Sequence, residues 1–415
     1  MKQCDVLILG AGIVGVSTAL QLQKRGLSVI LGDRRSPGEE TSYGNSGVIG
    51  GPSVYPVTFP RNARKLVEIA LNRSTAARYN PAFLPYIAGW LVAHYRSSAP
   101  ERLEYVAHAM HPLMSRALAE HESLLDSAGA LGYLRRNGWI SLYRHSPSYE
   151  AVKPALELGR EMGRVFSVLD TADACRLEPA LNPIFRHAVH SQDIASVSDP
   201  LGVTRAYADH FRSNGGTFVT GDARSLKRQK SGWQLDSGEG PVMGREVVVA
   251  LGPWSSELLA QLGLHLPLAV QRGYHNHFAT DSSADLKHPV LDADIGYVIS
   301  PMEQGLRLTT GVEFDRRDAR PTPVQLERLL PQAHRLLKLG PAVEKQPWLG
   351  ARPCFPDTMP VVGPAPKLPG LWLTYGHGHM GLTLGPITGR LLAETMLGET
   401  PFTDPRPYQA ERFLN

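Results

Sequence analysis

The feature that most constrains this chain is a glycine-rich turn close to its start. The segment DVLILGAGIVGVSTALQLQKRGLSVILGD reads as an apolar strand, a glycine turn, an apolar helix and a second strand that ends at Asp33. In such a unit Gly10 makes the tight turn, Gly12 lets the backbone approach a pyrophosphate, and Gly15 lets the helix pack close to the sheet. The helix N-terminus carries about half a positive charge and faces the phosphates. The pattern predicts a βαβ unit that binds a dinucleotide.

Asp33 and the segment after it narrow the choice of dinucleotide. An acidic residue at this position accepts hydrogen bonds from an adenosine ribose and disfavours a ribose 2′-phosphate, so NADP is disfavoured while FAD and NAD remain. The next segment, EETSYGNSGVIGG at residues 39–51, is rich in hydroxyls and glycine where a nicotinamide enzyme would continue its βαβ alternation. Its backbone N–H groups and hydroxyls suit a pyrophosphate and a flat ring. We therefore expect FAD.

The order of segments predicts an α/β fold with a discontinuous nucleotide-binding domain. The chain has 415 residues, and α/β segments occur at its beginning, middle and end. Between them lie a mostly helical region and alternating segments typical of an antiparallel sheet. We expect a Rossmann-like FAD-binding domain formed by residues 1–60, 195–265 and 348–415. An antiparallel-sheet substrate domain with a helical insertion is expected at residues 61–194 and 266–347.

Composition excludes several classes of partner. The formal net charge of +4 comes from 43 basic and 39 acidic residues without a long basic run, so nucleic acid is not an expected partner. Cys4, Cys175 and Cys354 are far apart in sequence, which predicts no disulfide framework and fits a reducing cytoplasm.

A strand begins by residue 5, which leaves no room for a signal peptide. The apolar segment 83–95 is too short to span a membrane, although it could lie against the inner membrane as a peripheral contact.

Two histidine pairs raise the question of a metal. His275 and His277 alternate on one strand, and His377 and His379 lie in a glycine turn. Neither pair has a third ligand at a readable spacing, so we predict no metal site.

Five segments in order carry a family resemblance: DVLILGAGIVGVSTALQLQKRG, ETSYGNSG, VVVALGPWS, ARPCFPDTMPVVG and GHGHMG. Together they resemble the D-amino-acid oxidase superfamily of flavoproteins, and more closely its D-amino-acid dehydrogenase branch. The resemblance implies FAD-dependent oxidation of a small D-amino or imino acid, similar to D-hydroxyproline or D-proline, by hydride transfer from the α carbon to flavin N5. No motif specifies the electron acceptor, and the resemblance favours a quinone or the respiratory chain over oxygen. The alternatives are an oxygen-using glycine- or sarcosine-type oxidase, a flavin subunit that needs a partner, and a nicotinamide-dependent enzyme.

The resemblance also implies roles for individual residues. Arg352, in a G-x-R-P segment, matches the arginine that binds the substrate carboxylate, and a guanidinium suits a bidentate carboxylate contact. Tyr274 matches an aromatic or polar position at the start of the family's substrate-domain sheet, and Tyr297 matches a tyrosine that can face the substrate. His379 occupies a position that the family often fills with a small or hydroxylated residue, and we expect its side chain to face the pocket. Cys354 does not match the offset at which some relatives attach flavin, so FAD is expected to be non-covalent. The residues expected to contact FAD are Gly10, Ala11, Gly12, Ile13, Val14, Gly15, Asp33, Arg34, Thr41, Ser42, Asn45, Gly47, Val48, Ala223, Gly252, Trp254, Arg352, Gly378, His379, Met380, Gly381 and Thr383.

The segment TYGHGHMGLTLGP predicts a second strand-to-helix turn. A strand precedes it, and Pro386 lies in the first turn of the helix that follows, where its missing N–H is harmless. The helix N-terminus would then be directed into the same crevice as the first and would suit the negative charge of a reduced flavin. We expect His377 to brace this loop.

Overall fold

A computed structural model describes residues 2–51, 54–280 and 285–414. Its helices are α1 Ile13–Gln23, α2 Ala63–Ala70, α3 Leu84–Ser97, α4 Pro100–Ser127, α5 Ser146–Glu161, α6 Thr171–Leu177, α7 Pro200–Ser213, α8 Ser255–Gln261, α9 Val324–Leu336 and α10 Gly381–Met396. Its strands are β1 Lys2–Leu9, β2 Val29–Asp33, β3 Val48–Ile49, β4 Ala77–Tyr79, β5 Leu134–Arg135, β6 Trp139–Tyr143, β7 Phe166–Asp170, β8 His187–Ser191, β9 Ala195–Val197, β10 Thr217–Thr220, β11 Lys227–Gln229, β12 Gly232–Leu235, β13 Val242–Val249, β14 Ala269–Phe278, β15 Val290–Asp292, β16 Tyr297–Met302, β17 Gly305–Thr309, β18 Val312–Phe314, β19 Trp348–Cys354, β20 Val361–Pro364 and β21 Leu371–Tyr375.

The first sheet is built around the buried apolar strand β1. Strands β10, β2, β1 and β13 lie side by side and are parallel. Strand β13 pairs with β12 antiparallel at its beginning and with β21 parallel at its end. Parallel strands covered on both faces are expected to be nearly continuous in apolar residues, as residues 6–9 of β1 and 247–249 of β13 are. The carboxyl ends of β1, β2, β13 and β21 therefore meet at one edge, where ligands bind in open α/β sheets.

Helices α1 and α10 pack closely on one face of this sheet. A Cβ at Gly389 would lie 2.9 Å from the backbone N of Thr18, and one at Gly385 would lie 3.3 Å from the carbonyl O of Ile13. The small residues thus let the two helices lie almost backbone to backbone. Both helices begin at the same sheet edge.

The second sheet has the strand order β4-β18-β14-β17-β16-β15-β6-β8-β7, with β19 paired to β14, and most of its pairs are antiparallel. Its apolar face packs on α9 through Ile299, Leu306, Leu308 and Leu329. Its other face is directed at the first sheet's domain, since Arg307 of β17 donates to the carbonyl O of Tyr43. The predicted fold class, a Rossmann-like domain with an antiparallel substrate domain, is confirmed.

Two segments depart from the predicted domain division. Helix α4 packs on α10, and its buried residues Val106, Met110 and Leu113 belong to the same hydrophobic core as α1, although residues 61–194 were assigned to the substrate domain. Strand β19 belongs to the second sheet, although residues 348–415 were assigned to the FAD domain. Helical periodicity shows that α4 has an apolar face but not which domain it covers.

Candidate functional site: a dinucleotide crevice against the second sheet

The first glycine turn has the geometry that its sequence predicts. Gly10 has φ +107°, and a Cβ there would lie 2.4 Å from the carbonyl O of Ala250. A Cβ at Gly15 would lie 1.8 Å from the carbonyl O of Gly10. A Cβ at Gly12 would lie 3.1 Å from its nearest neighbour, Oγ of Ser42. Gly10 and Gly15 are therefore required by packing against backbone atoms, whereas a Cβ at Gly12 would need only a small shift of one side chain.

Asp33 lies beside this turn at the end of β2. One carboxylate oxygen accepts from the N–H of Ala11 at 2.7 Å, and the other accepts from the N–H of Arg35 at 3.1 Å. Burial raises the pKa of Asp33, although these backbone bonds oppose the shift. The carboxylate is thus held in place at the wall of a cavity.

This cavity encloses about 1400 Å³, including its open mouth, and runs along the carboxyl edge of the first sheet. Two guanidinium groups lie near Trp254 in its wall, with Cζ of Arg34 4.3 Å and Cζ of Arg317 5.1 Å from a ring centroid. Predicted cofactor residues that line the cavity are Gly10, Gly12, Ile13, Val14, Asp33, Arg34, Thr41, Ser42, Asn45, Ala223, Gly252, Trp254, Gly378 and Gly381. Ala11, Gly15, Gly47, Val48, Arg352, His379, Met380 and Thr383 are not among its lining residues.

The loop after β2 connects the turn to the second sheet. Ser42 Oγ accepts from the N–H of Ile13 at 2.9 Å, and Thr41 donates its hydroxyl to the carbonyl O of Ala351 at 2.8 Å. Asn45 donates to the carbonyl O of His379 at 3.2 Å and accepts from the N–H of Gly47 at 2.9 Å. These predicted residues therefore fix the loop between both domains.

The second glycine turn, residues 376–380, closes the crevice from the other side. The His377 ring is 3.0 Å from the hydroxyl of Thr388, and Gly378 donates its N–H to the carbonyl O of Pro353 at 2.8 Å. Burial lowers the pKa of His377 to about 3, so the ring is neutral. The predicted bracing role of His377 is what this geometry shows. Thr383 ties α10 to β3, because its hydroxyl donates to the carbonyl O of Val48 at 3.1 Å.

The cavity has unused polar groups that fit FAD. The hydroxyls of Thr374 and Tyr375 are buried without a partner among the described residues, and both residues line the cavity. The N-termini of α1 and α10 bring free N–H groups and positive partial charge to the same space. The carboxylate of Asp33 adds an acceptor suited to ribose hydroxyls. These residues could hold the adenosine, pyrophosphate and flavin parts of FAD along one crevice.

Arg352 projects from β19 next to this crevice. Its guanidinium donates to the carbonyl O atoms of Gly311 at 2.9 Å and Thr310 at 3.1 Å, and burial lowers its pKa. No carboxylate among the described residues forms an ion pair with it. Asp357, the acidic residue five positions further along the chain, pairs with Arg412 at 2.7 Å. The charge of Arg352 is therefore available to an anionic ligand.

The neighbours of Arg352 follow from the register of β14 and β19. Opposite residues share a face, and these pairs place Gln271 across from Arg352, Gly273 across from Gly350 and His275 across from Trp348. The rings of His275 and Trp348 stack with centroids 4.9 Å apart. This face was missed by sequence reasoning, although the alternation Trp348, Gly350, Arg352 is a signal that could have found it.

His379 lies in the second turn and is exposed to a neighbouring cavity rather than to the first. Although the ring faces the cavity, desolvation by the protein that surrounds the cavity, together with the charge of Arg352, lowers the pKa of His379 to about 4. His379 is thus a neutral ring near Arg352. Met380 lines the same neighbouring cavity.

The structure does not bring Tyr274 and Tyr297 to this site, and both expectations are corrected. The Tyr274 hydroxyl donates to Glu313 at 2.7 Å on the opposite face of β14. Tyr297 packs in the core with Ile299, under α9. Both fall one residue out of phase with the face that carries Arg352, because side chains alternate along a strand.

The histidine pairs do not form metal sites. Among residues 2–51, 54–280 and 285–414 no group of three or more His, Cys, Asp or Glu side chains is arranged to hold a metal ion. The ring of His277 is instead bonded on one side to Glu344 and on the other to Arg307.

Fold and site together define a two-domain, dinucleotide-dependent oxidoreductase. The chain belongs to the DAO family of FAD-dependent oxidoreductases, whose model matches residues 5–395. FAD is therefore its cofactor, and the predicted family is confirmed.

Similar proteins cover nearly the whole chain. The D-amino-acid oxidase of Bradyrhizobium diazoefficiens is 29% identical over 421 residues, which span 99% of both chains. The D-amino acid dehydrogenase of Chromohalobacter salexigens is 28% identical over 424 residues, again 99% of both. The crystal structure of glycine oxidase from Geobacillus kaustophilus superposes with a TM-score of 0.74 at 21% identity over 99% of both chains. That likeness shows the fold.

Proposed function

We propose that this enzyme oxidises an α-amino or α-imino acid whose carboxylate is bound by Arg352. The observation that carries the proposal is a guanidinium beside the FAD crevice that has no acidic partner among the described residues. Carbonyl oxygens hold it now, and a carboxylate is a stronger, bidentate partner for the same N–H groups. The names of similar proteins, D-amino-acid oxidase, D-amino acid dehydrogenase and glycine oxidase, support an amino acid as substrate.

The residues around Arg352 are suited to binding and orienting the substrate rather than to transferring its protons. FAD, when bound, supplies the two-electron acceptor for such an oxidation. Arg352 would fix the carboxylate and so orient the α carbon, which is the main catalytic contribution available from the chain. Burial lowers the pKa of His275 to about 2 and that of His379 to about 4, so neither ring is an effective base near neutral pH. The ammonium proton therefore leaves to water before oxidation.

Anaerobic reduction of the flavin tests this function. The purified, FAD-loaded enzyme is mixed with D- and L-amino acids, D-proline, D-hydroxyproline, glycine and sarcosine, and loss of flavin absorbance is followed. The resemblance favours D-hydroxyproline and D-proline among the small substrates. Bleaching by at least one amino or imino acid, but not by the matching amine without a carboxylate, is expected. Equal reduction by the decarboxylated amines would overturn the role of Arg352.

We propose that FAD is bound non-covalently. Cys354 is buried and burial raises its pKa to about 12, so its thiol is poorly suited to attack a flavin. Acid precipitation should leave the flavin in the supernatant. Flavin that stays with the precipitated chain would contradict this.

We propose that a membrane quinone, rather than oxygen, takes the electrons from the reduced enzyme. The α2–α3 surface, residues 57–96, exposes Val67, Leu71, Tyr86 and Val92, and Tyr86 is 71% exposed. Arg61, Lys65 and Arg96 are exposed on the same segment, a combination suited to an anionic lipid surface. None of the described helices is long and apolar enough to cross a bilayer. The proposal places a cytoplasmic enzyme peripherally on the inner membrane.

Liposome flotation and acceptor kinetics test this surface. Binding to vesicles with anionic lipid should weaken in Tyr86→Glu and stay unchanged in Leu397→Glu, which alters an exposed apolar residue elsewhere. Turnover should be faster with a soluble quinone than with oxygen. Fast oxygen consumption would favour the glycine-oxidase type, and flavin reduction without turnover on any acceptor would favour a subunit that needs a partner.

A further inference from the structure

A second cavity, here called the apolar chamber, lies between α4 and residues 54–57. It encloses about 1620 Å³, including its open mouth. Helix α4 contributes Val106, Ala107, Met110, Met114 and Leu118 to its wall. These residues recur at helical spacing, so one face of α4 forms the wall.

Methionine is concentrated in the chamber. Met110, Met114, Met162 and Met380 line it, which is four of the nine methionines of the chain. Methionine side chains are flexible and polarisable, and they adapt to apolar ligands of different shapes. The wall is therefore suited to a range of apolar groups.

The polar groups of the chamber wall are mostly occupied by other parts of the protein. Arg164 is paired with Asp193 and also donates to the carbonyl O of Gly51 at 2.8 Å. Glu122 accepts from Arg136 at 2.7 Å. The ring of His94 is 2.8 Å from the carbonyl O of Pro356. A charged ligand group would have to replace these contacts, whereas an apolar group would not.

The chamber adjoins both the FAD crevice and Arg352. It shares Gly376, His377 and Gly378 with the first cavity, so the two cavities meet at this turn. Gln271, the strand partner of Arg352, also lines the chamber. His379 of the second turn lines the chamber as well. A substrate whose α carbon reacts at this junction would extend its side chain into the chamber.

We infer that the apolar chamber binds the substrate's side chain, and that this enzyme acts on amino acids with long aliphatic, thioether or aromatic side chains over a broad range. The inference rests on the proposed function, because it requires an amino acid held at Arg352. It extends the substrate class beyond glycine, sarcosine and the small cyclic imino acids.

A size series measured on wild type and chamber variants tests the inference. The reactive enantiomers of alanine, leucine, methionine and phenylalanine are compared by anaerobic flavin reduction. Met114→Trp fills the chamber from its half-buried wall, and Ala119→Trp narrows it from an exposed lining position, where folding is little affected. His108→Trp is the matched control, since it adds the same ring to an exposed position of α4 outside the lining.

The flavin of the wild-type enzyme should be reduced faster by leucine, methionine and phenylalanine than by alanine, by about tenfold or more in the apparent second-order rate constant of reduction. In Met114→Trp and Ala119→Trp the rate of flavin reduction by the large substrates should fall by about tenfold or more, and the rate with alanine should change less than threefold. The control His108→Trp should match wild type with every substrate. A preference for alanine or proline, an equal loss on all substrates, or loss of bound FAD in both chamber variants would overturn the inference. If no amino acid of any size reduces the flavin, the proposed function fails and the inference with it.

Discussion

Arg307 donates a hydrogen bond from Nε to Nε2 of His277 at 2.9 Å. Nε2 must therefore accept, so the neutral ring carries its proton on Nδ1 and donates it to Glu344. The other end of Arg307 donates to the carbonyl O of Tyr43 at 2.8 Å and to that of Asn45 at 2.5 Å. A chain of side chains thus runs from partly exposed Glu344 to the loop that faces the FAD crevice.

Replacing Arg307 by Met should weaken FAD binding. The side chain is buried, and its two bonds to the loop are lost while a similar volume is kept. A hydrogen bond from a charged group contributes about 1.5–3 kcal/mol, so the dissociation constant of FAD should rise by about 10- to 150-fold. Fluorescence titration of the apoprotein measures it. Arg328→Met, which removes an arginine bonded to the carbonyl O of Asn72 far from the crevice, is the control and should bind FAD normally.

Replacing Arg352 by Ala should weaken substrate binding while FAD remains bound. Loss of a desolvated carboxylate contact costs about 2–5 kcal/mol, or about 30- to several thousand-fold in the apparent dissociation constant. Arg352→Lys keeps the charge but not the bidentate geometry and should be intermediate. The dependence of the flavin reduction rate on substrate concentration gives this constant. An unchanged constant in a folded, FAD-loaded Arg352→Ala enzyme would refute the assignment.

Gly12→Ala and Gly15→Ala should separate cofactor binding from folding. A Cβ at Gly12 has its nearest contact at 3.1 Å, whereas one at Gly15 would overlap the carbonyl O of Gly10 at 1.8 Å. Gly12→Ala should therefore fold with a near-normal melting temperature as apoprotein and bind FAD weakly, since its methyl group occupies the approach of the pyrophosphate. Gly15→Ala should melt lower with and without FAD. Melting curves of both apoproteins decide the matter, and equal destabilisation would be inconsistent with this geometry.

The buried histidines should make stability depend on pH. Burial lowers the pKa of His377 to about 3 and that of His121 to about 4, from 6.5. Between the lowered pKa of the folded chain and 6.5, the unfolded chain binds protons that the folded chain does not. The free energy of unfolding therefore falls as pH decreases below about 6.5. His377→Gln, whose amide can still reach Thr388, should lower the slope of unfolding free energy against pH by up to about 1.4 kcal/mol per unit. Denaturant unfolding at pH 5, 6 and 7 measures it, and a slope equal to wild type would show that His377 is already protonated.

The sequence was most informative where local geometry decides the structure. The first turn could be predicted because Gly10 and Gly15 leave almost no alternative to a sharp turn against a close helix. The second turn could be predicted from its glycines, but the position of Pro386 was wrong, because α10 begins at Gly381 and Pro386 lies inside the helix rather than in its first turn. Arg352 could be singled out because its segment resembles a family motif, and in the part of the chain that the structure describes no acidic side chain pairs with its guanidinium.

The features of the site that could not be predicted from the sequence depend on strand register and on contacts between the domains. Tyr274 and Tyr297 were expected at the site, but strand alternation places both on the opposite face. Trp348 and Arg307 were missed because their partners His275 and His277 lie 73 and 30 positions away in sequence. The apolar face of α4 was predictable, but whether it covered one domain or walled a cavity was not.

The FAD crevice and the apolar chamber share Gly376, His377 and Gly378 of the second turn, and the His377 ring is held by Thr388. The walls of the chamber come from α4 and surface segments that contribute little to the crevice. Substitutions along α4 could alter which molecules are oxidised while the cofactor environment stays constant, so this architecture lets substrate range diverge independently of the redox centre.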